Sequence, residues 1–229
     1  MRSIFSGEAI SPYSSVREEY NRLCQLDCGR REFARQCTSM RAQQRELSET
    51  VFLQLVANFA TILHLCEMDD DIKAAKVLLV LSFTFRCEDK FLYQDLLHLT
   101  IWKSMRFWEA AFLYSVHIER KSRSQDNTCF RDQTPDQRND SAELQKNTFF
   151  GHLSSFISNM TAFGVTANDI VTFRDKMFVM SELDPEQIEM IKQMSPPVKM
   201  ETNENLIFER FKIRSKSILT SVSKGFQLG

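Results

Sequence analysis

The residues with the clearest potential for chemistry are Cys24 and Arg30, which have the Cys-x5-Arg spacing of cysteine phosphatases. In such a loop, converging backbone N–H groups and the arginine hold a phosphate around a thiolate. Here Asp27 would place a carboxylate inside the anion cup, and the flanking sequence has helical periodicity. The spacing is therefore interpreted as coincidental. Cys24 and Cys28 are one helical turn apart and are expected to be buried small hydrophobic residues.

Histidines and carboxylates offer no stronger signal of a reactive site. None of the four histidines has another within three to five residues, so a zinc site would need ligands from distant helices (His64, His98, His117 and His152). Glu109 is expected to pair with a nearby arginine such as Arg106 rather than to act as a general acid. A hydrolase built on a cysteine or on Glu109 stays open as an alternative. The sequence predicts no catalytic, cofactor-binding or metal-binding residues, and no cofactor.

Three consecutive aspartates, residues 69–71, form a compact group of metal-ligand type. A second carboxylate cluster that would complete an oxygen cage is missing from the sequence. We therefore expect the triplet to end one helix and to lie at the positive N-terminal end of the next.

Candidate binding residues lie near the C-terminus, where basic and apolar side chains alternate. The last 24 residues hold five basic side chains and one acidic one, and four of the basic residues are proposed to contact an anionic partner or lipid (Arg210, Lys212, Arg214 and Lys216). Three alternatives stay open for this segment: a solvated extension, an amphipathic segment docked on the domain, or a contact with anionic lipid or an acidic partner. Ser122 and Ser124 lie beside basic residues and are candidate phosphorylation sites.

Composition indicates that helices position these residues. Leu, Met and Phe total 50 residues against 24 Val and Ile, a balance that favours helix over sheet. Between Gly29 and Gly151 there is no glycine, which excludes most phosphate-binding loops and nucleophile elbows there. The predicted fold class is all-α, a single helical domain of about seven to nine helices.

Apolar periodicity and capping signals give the approximate helix positions. A helix is expected from Ser48 to Met68, followed by a buried one from Ile72 to about Phe85. A shorter helix over residues 91–99 precedes a core helix over 100–120. Further helices are expected from Thr148, after Thr166 and after Asp184. Gly164 is expected to take the left-handed conformation just past the end of a helix.

The stretch 121–146 is polar except for four residues (Cys129, Phe130, Ala142 and Leu144). Such a segment buries too little surface to offset its ordering entropy, so a mobile, disordered insert is expected there. The predicted organisation is a flexible arm over 1–14, the helical domain over 15–197 and a basic tail over 198–229.

Charge and cysteine usage indicate the compartment and the class of partner. The formal net charge is −1, which provides no global field for nucleic acid. The N-terminus has no apolar signal region, and the longest aliphatic run, residues 77–81, is too short to cross a bilayer. Six cysteines without a CxxC pair indicate free thiols in a reduced, cytoplasmic protein.

Three stretches together resemble one family: residues 75–85 (AKVLLVLSFTF), 101–120 (IWKSMRFWEAAFLYSVHIER) and 148–165 (TFFGHLSSFISNMTAFGV). They are similar to the set-binding-factor domain, a helical region between the DENN and phosphatase-like parts of certain myotubularin-related pseudophosphatases. A small family of cytoplasmic animal proteins that carry this domain alone is also similar. The resemblance covers roughly residues 30–195, and its most specific part is RFWEAAF at 106–112. It implies an all-helical, non-catalytic module and supplies no catalytic residues.

The function predicted from the sequence is a non-enzymatic, intracellular protein–protein interaction module, an adaptor or scaffold. The partner is another protein of unspecified identity. The alternative is a peripheral membrane or trafficking regulator that acts through the basic C-terminal segment, with weak contact to a membrane surface.

Overall fold

The structure is a computed structural model that describes residues 15–123 and 134–196. The chain divides into two units, 1–196 and 197–229, and the described residues lie in the first.

Short sequence signals determine where several helices begin and end. The side chain of Thr166 accepts a hydrogen bond from the backbone N–H of Asp169 at 3.2 Å. The Asp184 N–H donates to the Gln187 side chain at 3.3 Å. Gly164 has a φ of +72°, so the predicted left-handed helix end is confirmed.

The all-α class is confirmed, since eight α-helices make up most of the described residues. Two short strands, β1 (Arg86–Cys87) and β2 (Lys90–Phe91), pair antiparallel, and 3₁₀ turns cover Leu92–Asp95 and Thr100–Lys103. The helices are α1 (Ser15–Cys24), α2 (Asp27–Arg41), α3 (Glu49–Asp69), α4 (Ile72–Ser82), α5 (Met105–Arg123), α6 (Pro135–Ala162), α7 (Ala167–Val179) and α8 (Pro185–Met194).

Aromatic rings join the helices in the core. The Phe112 ring on α5 meets the rings of Phe149, Phe156 and Phe173 edge to face, with centroids 5.0, 5.5 and 5.7 Å apart. These contacts hold α5, α6 and α7 together. In the other half of the core, Phe33 on α2 meets Phe59 on α3 at 5.7 Å.

Helix α3 is the one described helix that is long and apolar enough to cross a membrane by length and composition. Its 18-residue window has a mean hydropathy of 1.5, and 39% of that window is buried inside the fold. The buried side chains form one stripe that faces the core (Val51, Phe52, Leu55, Phe59, Ile62, Leu63 and Cys66). Because the core helix of a soluble protein passes the same test, the length and composition of α3 are weak evidence of a membrane span.

The predicted helix over 91–99 is wrong in type. Phe91 belongs to β2, and the next residue, Leu92, donates its N–H to the Phe85 carbonyl at 3.0 Å. The Phe91 N–H donates to the Gln94 side chain at 2.8 Å and so caps the single 3₁₀ turn that follows. Leu92 and Leu96 are both fully buried, so the apolar spacing identified core residues but not the backbone conformation.

The predicted single helix over 100–120 is interrupted at Ser104, which has an extended ψ of 106°. The interruption leaves carbonyl oxygens that buried indole groups use. Trp108 Nε1 donates to the Trp102 carbonyl at 2.8 Å, and Trp102 Nε1 donates to the Leu96 carbonyl at the same distance. A buried indole N–H needs a partner, and these bonds stabilise the break.

The predicted insert over 121–146 is too long. Helix α5 continues to Arg123, and α6 already begins at Pro135, so only residues 124–133 of the predicted insert lie outside the described structure. Lys146 Nζ donates to Asp184 at 3.1 Å, and Gln187 donates to Asn147 at 3.0 Å. These contacts join α6 to α8 at the end of the predicted insert. The predicted arm and basic tail also lie outside the described residues.

Candidate functional site

Arg30 is a buried structural residue rather than part of a phosphate-binding loop. Its side chain is 2% exposed, and Nη1 donates to the carbonyls of Cys24 at 3.2 Å and Gln25 at 3.0 Å. The guanidinium also pairs with Asp71, from Nε at 3.0 Å, and with Asp69, from Nη1 at 2.9 Å. Nε and Nη1 of Arg30 are therefore engaged within the fold, in agreement with the interpretation of the Cys-x5-Arg spacing as coincidental.

The described cysteines include buried thiols that are poor nucleophiles. Burial raises the pKa of the Cys24 thiol, although a hydrogen bond with Tyr20 and the charge of Arg30 act in the opposite direction. Burial likewise raises the pKa of Cys37 and of Cys66 to about 12. A thiol with such a pKa stays protonated at neutral pH and does not attack. Cys28, predicted to be buried, is exposed, so that prediction was wrong.

The aspartate triplet forms the turn that the sequence predicted. Asp70 ends α3 in the left-handed conformation, with φ of 55°. Asp71 accepts the Ala74 N–H at 3.2 Å and so caps α4. Two arginines that sequence reasoning did not assign to this turn also bind it, since Arg30 reaches Asp71 and Arg106 pairs with Asp70. In residues 15–123 and 134–196, no group of three or more His, Cys, Asp or Glu side chains is placed to hold a metal ion.

Glu109 does pair with a cation, but not with the expected one. Lys176 Nζ on α7 lies 2.5 Å from Glu109 Oε2, whereas Arg106 is taken by Asp70. His152 Nε2 lies 2.7 Å from Glu119 Oε2, which links α6 to α5. These pairs join neighbouring helices, and their contacts are those of structural ion pairs.

The aromatic cluster at 102–114 belongs to the core, as expected. Trp102, Phe107, Trp108 and Phe112 are all buried. Tyr114 is half-buried, and Lys73 Nζ lies 5.9 Å from its ring centroid. These rings are used in packing, so they do not form a base-stacking or cofactor site.

Described residues line two surface grooves of similar size. The first, here named the triplet groove, has a volume of about 430 Å³ and is lined by the aspartate triplet, Asp27, Arg30, Arg31, Ile72, Lys73, Ala110 and Tyr114. Its two arginines are engaged, because Arg30 binds two aspartates and Arg31 pairs with Asp27 at 2.6 Å, whereas Lys73 lies over the Tyr114 ring.

The second, here named the hairpin groove, has a volume of about 440 Å³ and lies beside the β1–β2 ribbon. Its lining combines two aromatic and two basic side chains with one acid and one hydroxyl group (Phe83, Phe91, Arg45, Arg86, Glu46 and Thr84). Within the described residues, the guanidinium of Arg45 has no ion-pair partner. Arg86 makes only a 3.4 Å contact with Glu46, in a pair whose side chains are 46% and 66% exposed. This groove has polar groups that the fold does not use.

Most of the sequence-predicted binding residues are not placed by the structure. Arg210, Lys212, Arg214 and Lys216 lie outside the described residues, as does Ser124. Ser122 lies in the last turn of α5 and is exposed. Their predicted roles stay predictions.

The chain is similar to known proteins over most of its length. A family model named SBF2 and described as "Myotubularin protein" matches residues 22–207, a range that begins before and ends after the predicted 30–195. A relative from Homo sapiens, "Uncharacterized protein KIAA0513", is 34% identical over 117 residues. That match covers 45% of this chain and 28% of the relative's length. No solved structure matches the chain. Because the family model covers well over half of its residues, the chain belongs to the SBF2, myotubularin-related family.

Proposed function

We propose that the chain is a non-enzymatic, cytoplasmic module that binds another protein, as an adaptor or scaffold does. Membership of a myotubularin-related family supports a non-catalytic role. The residues with the best chemical potential also support it, because Arg30 holds helix junctions together and Glu109 pairs with Lys176. A residue engaged in this way has little freedom to serve a reaction.

The observation that carries the proposal is the unused binding capacity of the hairpin groove. Phe91 is 36% exposed there, and Arg45 has no ion pair in the described part of the chain. Exposed aromatic and arginine side chains are the residue types most enriched where proteins bind one another. The triplet groove, of similar size, offers less of this capacity, because both of its arginines are already paired and only Lys73 is left without an ion pair in the described residues.

The experiment is quantitative capture of partners from cells by the full chain and three variants. Trp108→Ala disrupts the core, Arg45→Gln alters the groove, and Arg35→Gln is a matched control on the exposed face of α2. The proposal predicts a partner that is retained by the wild type and by Arg35→Gln but lost by the other two variants. A captured set that is the same for the wild type and for Trp108→Ala would contradict it.

A second function, peripheral membrane binding, is favoured by the charge of the C-terminal sequence. Residues 206–229 contain five basic side chains and one acidic one. A segment with a local charge of +4 and interleaved apolar residues has the composition of a surface anchor for anionic lipid. The family match ends at residue 207, before the basic cluster, so this function would be a property of this chain rather than of the family.

A further inference from the structure

We infer that the hairpin groove holds a short acidic segment of the partner protein, with one or two carboxylates against Arg45 and Arg86 and an apolar side chain against Phe83 and Phe91. This inference rests on the proposed function and specifies the chemistry of the partner. It follows from three properties of the groove: a fixed backbone, an anchored aromatic wall and arginines that are available for binding.

The backbone of the groove is fixed by hydrogen bonds between segments distant in sequence. The Arg86 N–H donates to the Arg45 carbonyl at 2.9 Å, and the Leu47 N–H donates to the Arg86 carbonyl at 2.8 Å. These bonds form a parallel bridge between Glu46 and Arg86. Both arginines therefore project from backbone that is already ordered, which lowers the entropy lost when a ligand binds.

The aromatic wall is anchored to the core. The Phe83 ring stacks on Tyr93, with centroids 4.6 Å apart and planes at 29°, and it meets Phe163 edge to face at 5.6 Å. Phe91 lies at the outer end of this wall, 6.5 Å from Tyr93. Its exposed ring surface would be removed from water by an apolar side chain of the partner, which stabilises the complex.

The charges favour a carboxylate ligand. An exposed ion pair such as Arg86–Glu46 contributes little, so a carboxylate with better geometry displaces it without a large loss. Arg45 makes no ion pair in the described residues, and a guanidinium binds a carboxylate through two parallel hydrogen bonds.

Nearby acids limit the class of partner. Glu88 and Asp89 are exposed at the tip of the ribbon, and Glu46 lines the groove itself. Two arginines among three acids do not form the continuous basic surface that nucleic acid or an anionic membrane requires. A peptide with one or two carboxylates beside an apolar residue fits this distribution better than a long acidic run.

The experiment uses two peptide arrays and the purified full chain. In the first array, ten-residue peptides carry two Glu or Asp residues around one Phe, Leu or Trp; in the second, Gln and Asn replace each acid. The best binder is then measured by fluorescence anisotropy with wild type, Arg45→Gln, Phe91→Ser and the control Arg35→Gln. Circular dichroism melting of each variant verifies that it is folded.

We expect binding to the acidic array only, with an affinity that falls about tenfold in Arg45→Gln, because a charge-assisted hydrogen bond is lost. Arg35→Gln should bind as the wild type does, and binding should weaken as salt rises. Equal binding to both arrays, binding to neither, or no loss in Arg45→Gln would each overturn the inference. If the peptides fail while capture from cells still depends on Arg45, the ligand chemistry is wrong and the proposed function stands. If the acidic peptides bind but no partner depends on the folded domain, the proposed function is wrong.

Discussion

Arg30 on α2 donates from Nε to Oδ2 of Asp71 at 3.0 Å, and Asp71 in turn caps the first turn of α4. The two residues are 41 positions apart in the chain. Because Arg30 also binds the carbonyls of Cys24 and Gln25, this one side chain joins two helix junctions, α1–α2 and α3–α4.

Arg30→Gln should destabilise the fold by about 2–3 kcal/mol, because it leaves the 10%-exposed Asp71 carboxylate and two carbonyls without their donor. Arg31→Gln removes an exposed pair with Asp27 and should cost less than about 1 kcal/mol. Chemical denaturation of both variants measures the difference in the free energy of unfolding. Equal losses of unfolding free energy in the two variants would show that the buried Arg30 contributes no more to stability than the exposed Arg31.

Two glycines should respond oppositely to substitution by alanine. A Cβ at Gly29 would lie 1.9 Å from the Leu23 carbonyl oxygen, so Gly29→Ala must displace backbone and should cost about 2 kcal/mol or more. Gly151 lies inside α6 with no atom near the added Cβ, and Gly151→Ala should stabilise by about 0.5–1 kcal/mol. Thermal melting of the two variants tests this, and a stable Gly29→Ala would contradict the close approach of α1 and α2.

Thiol reactivity should follow burial among the described cysteines. Cys28 is exposed and should react with iodoacetamide at pH 8 far faster than Cys37 or Cys66, whose pKa burial raises to about 12. Mass spectrometry of a labelling time course gives the order. Rapid labelling of Cys37 or Cys66 in the folded chain would reopen the alternative of a thiol-based hydrolase.

The Glu32 carboxylate should stabilise the fold at neutral pH and lose this effect in acid. Hydrogen bonds from Arg35 and Gln36 lower its pKa to about 2. A carboxyl whose pKa is lower in the folded state adds stability above its unfolded pKa, and that stability is lost as pH falls toward the folded value. An NMR titration of the Glu32 carboxyl should give a midpoint near 2 in wild type and a higher midpoint in Arg35→Gln. An unchanged midpoint in the variant would show that Arg35 is not the cause.

The membrane alternative has a separate test. Replacing Arg210, Lys212, Arg214 and Lys216 by Gln should abolish sedimentation of the full chain with vesicles that contain phosphatidylserine, if the basic segment is an anchor. Wild-type binding should weaken as salt rises. No binding by the wild type, or equal binding by the variant, would refute this function.

The sequence predicted features that depend on near neighbours in the chain. Residues close in sequence determine the helix caps at Thr166 and Asp184 and the left-handed conformation of Gly164. Such features can therefore be predicted from the sequence. The core positions of Trp108 and Phe112 follow from helical spacing alone. The break at Ser104 was missed, because it depends on where buried indole N–H groups find carbonyls in the folded protein.

The hairpin groove was not predictable by such reasoning. It forms because the backbone at Glu46 pairs with Arg86, 40 residues later, and no periodicity encodes that contact. For the same reason the sequence placed Phe91 in a helix and gave Arg45 no role. Charged partners such as Arg30 and Asp71 also come together only through tertiary packing.

Hydrogen exchange of the full chain, with and without the partner that it captures from cells, tests the central claim most directly. Binding of the partner should slow amide hydrogen exchange in residues 45–47 and 83–91, the backbone around the hairpin groove. Slower exchange confined to α6 and α7, with those segments unchanged, would contradict it.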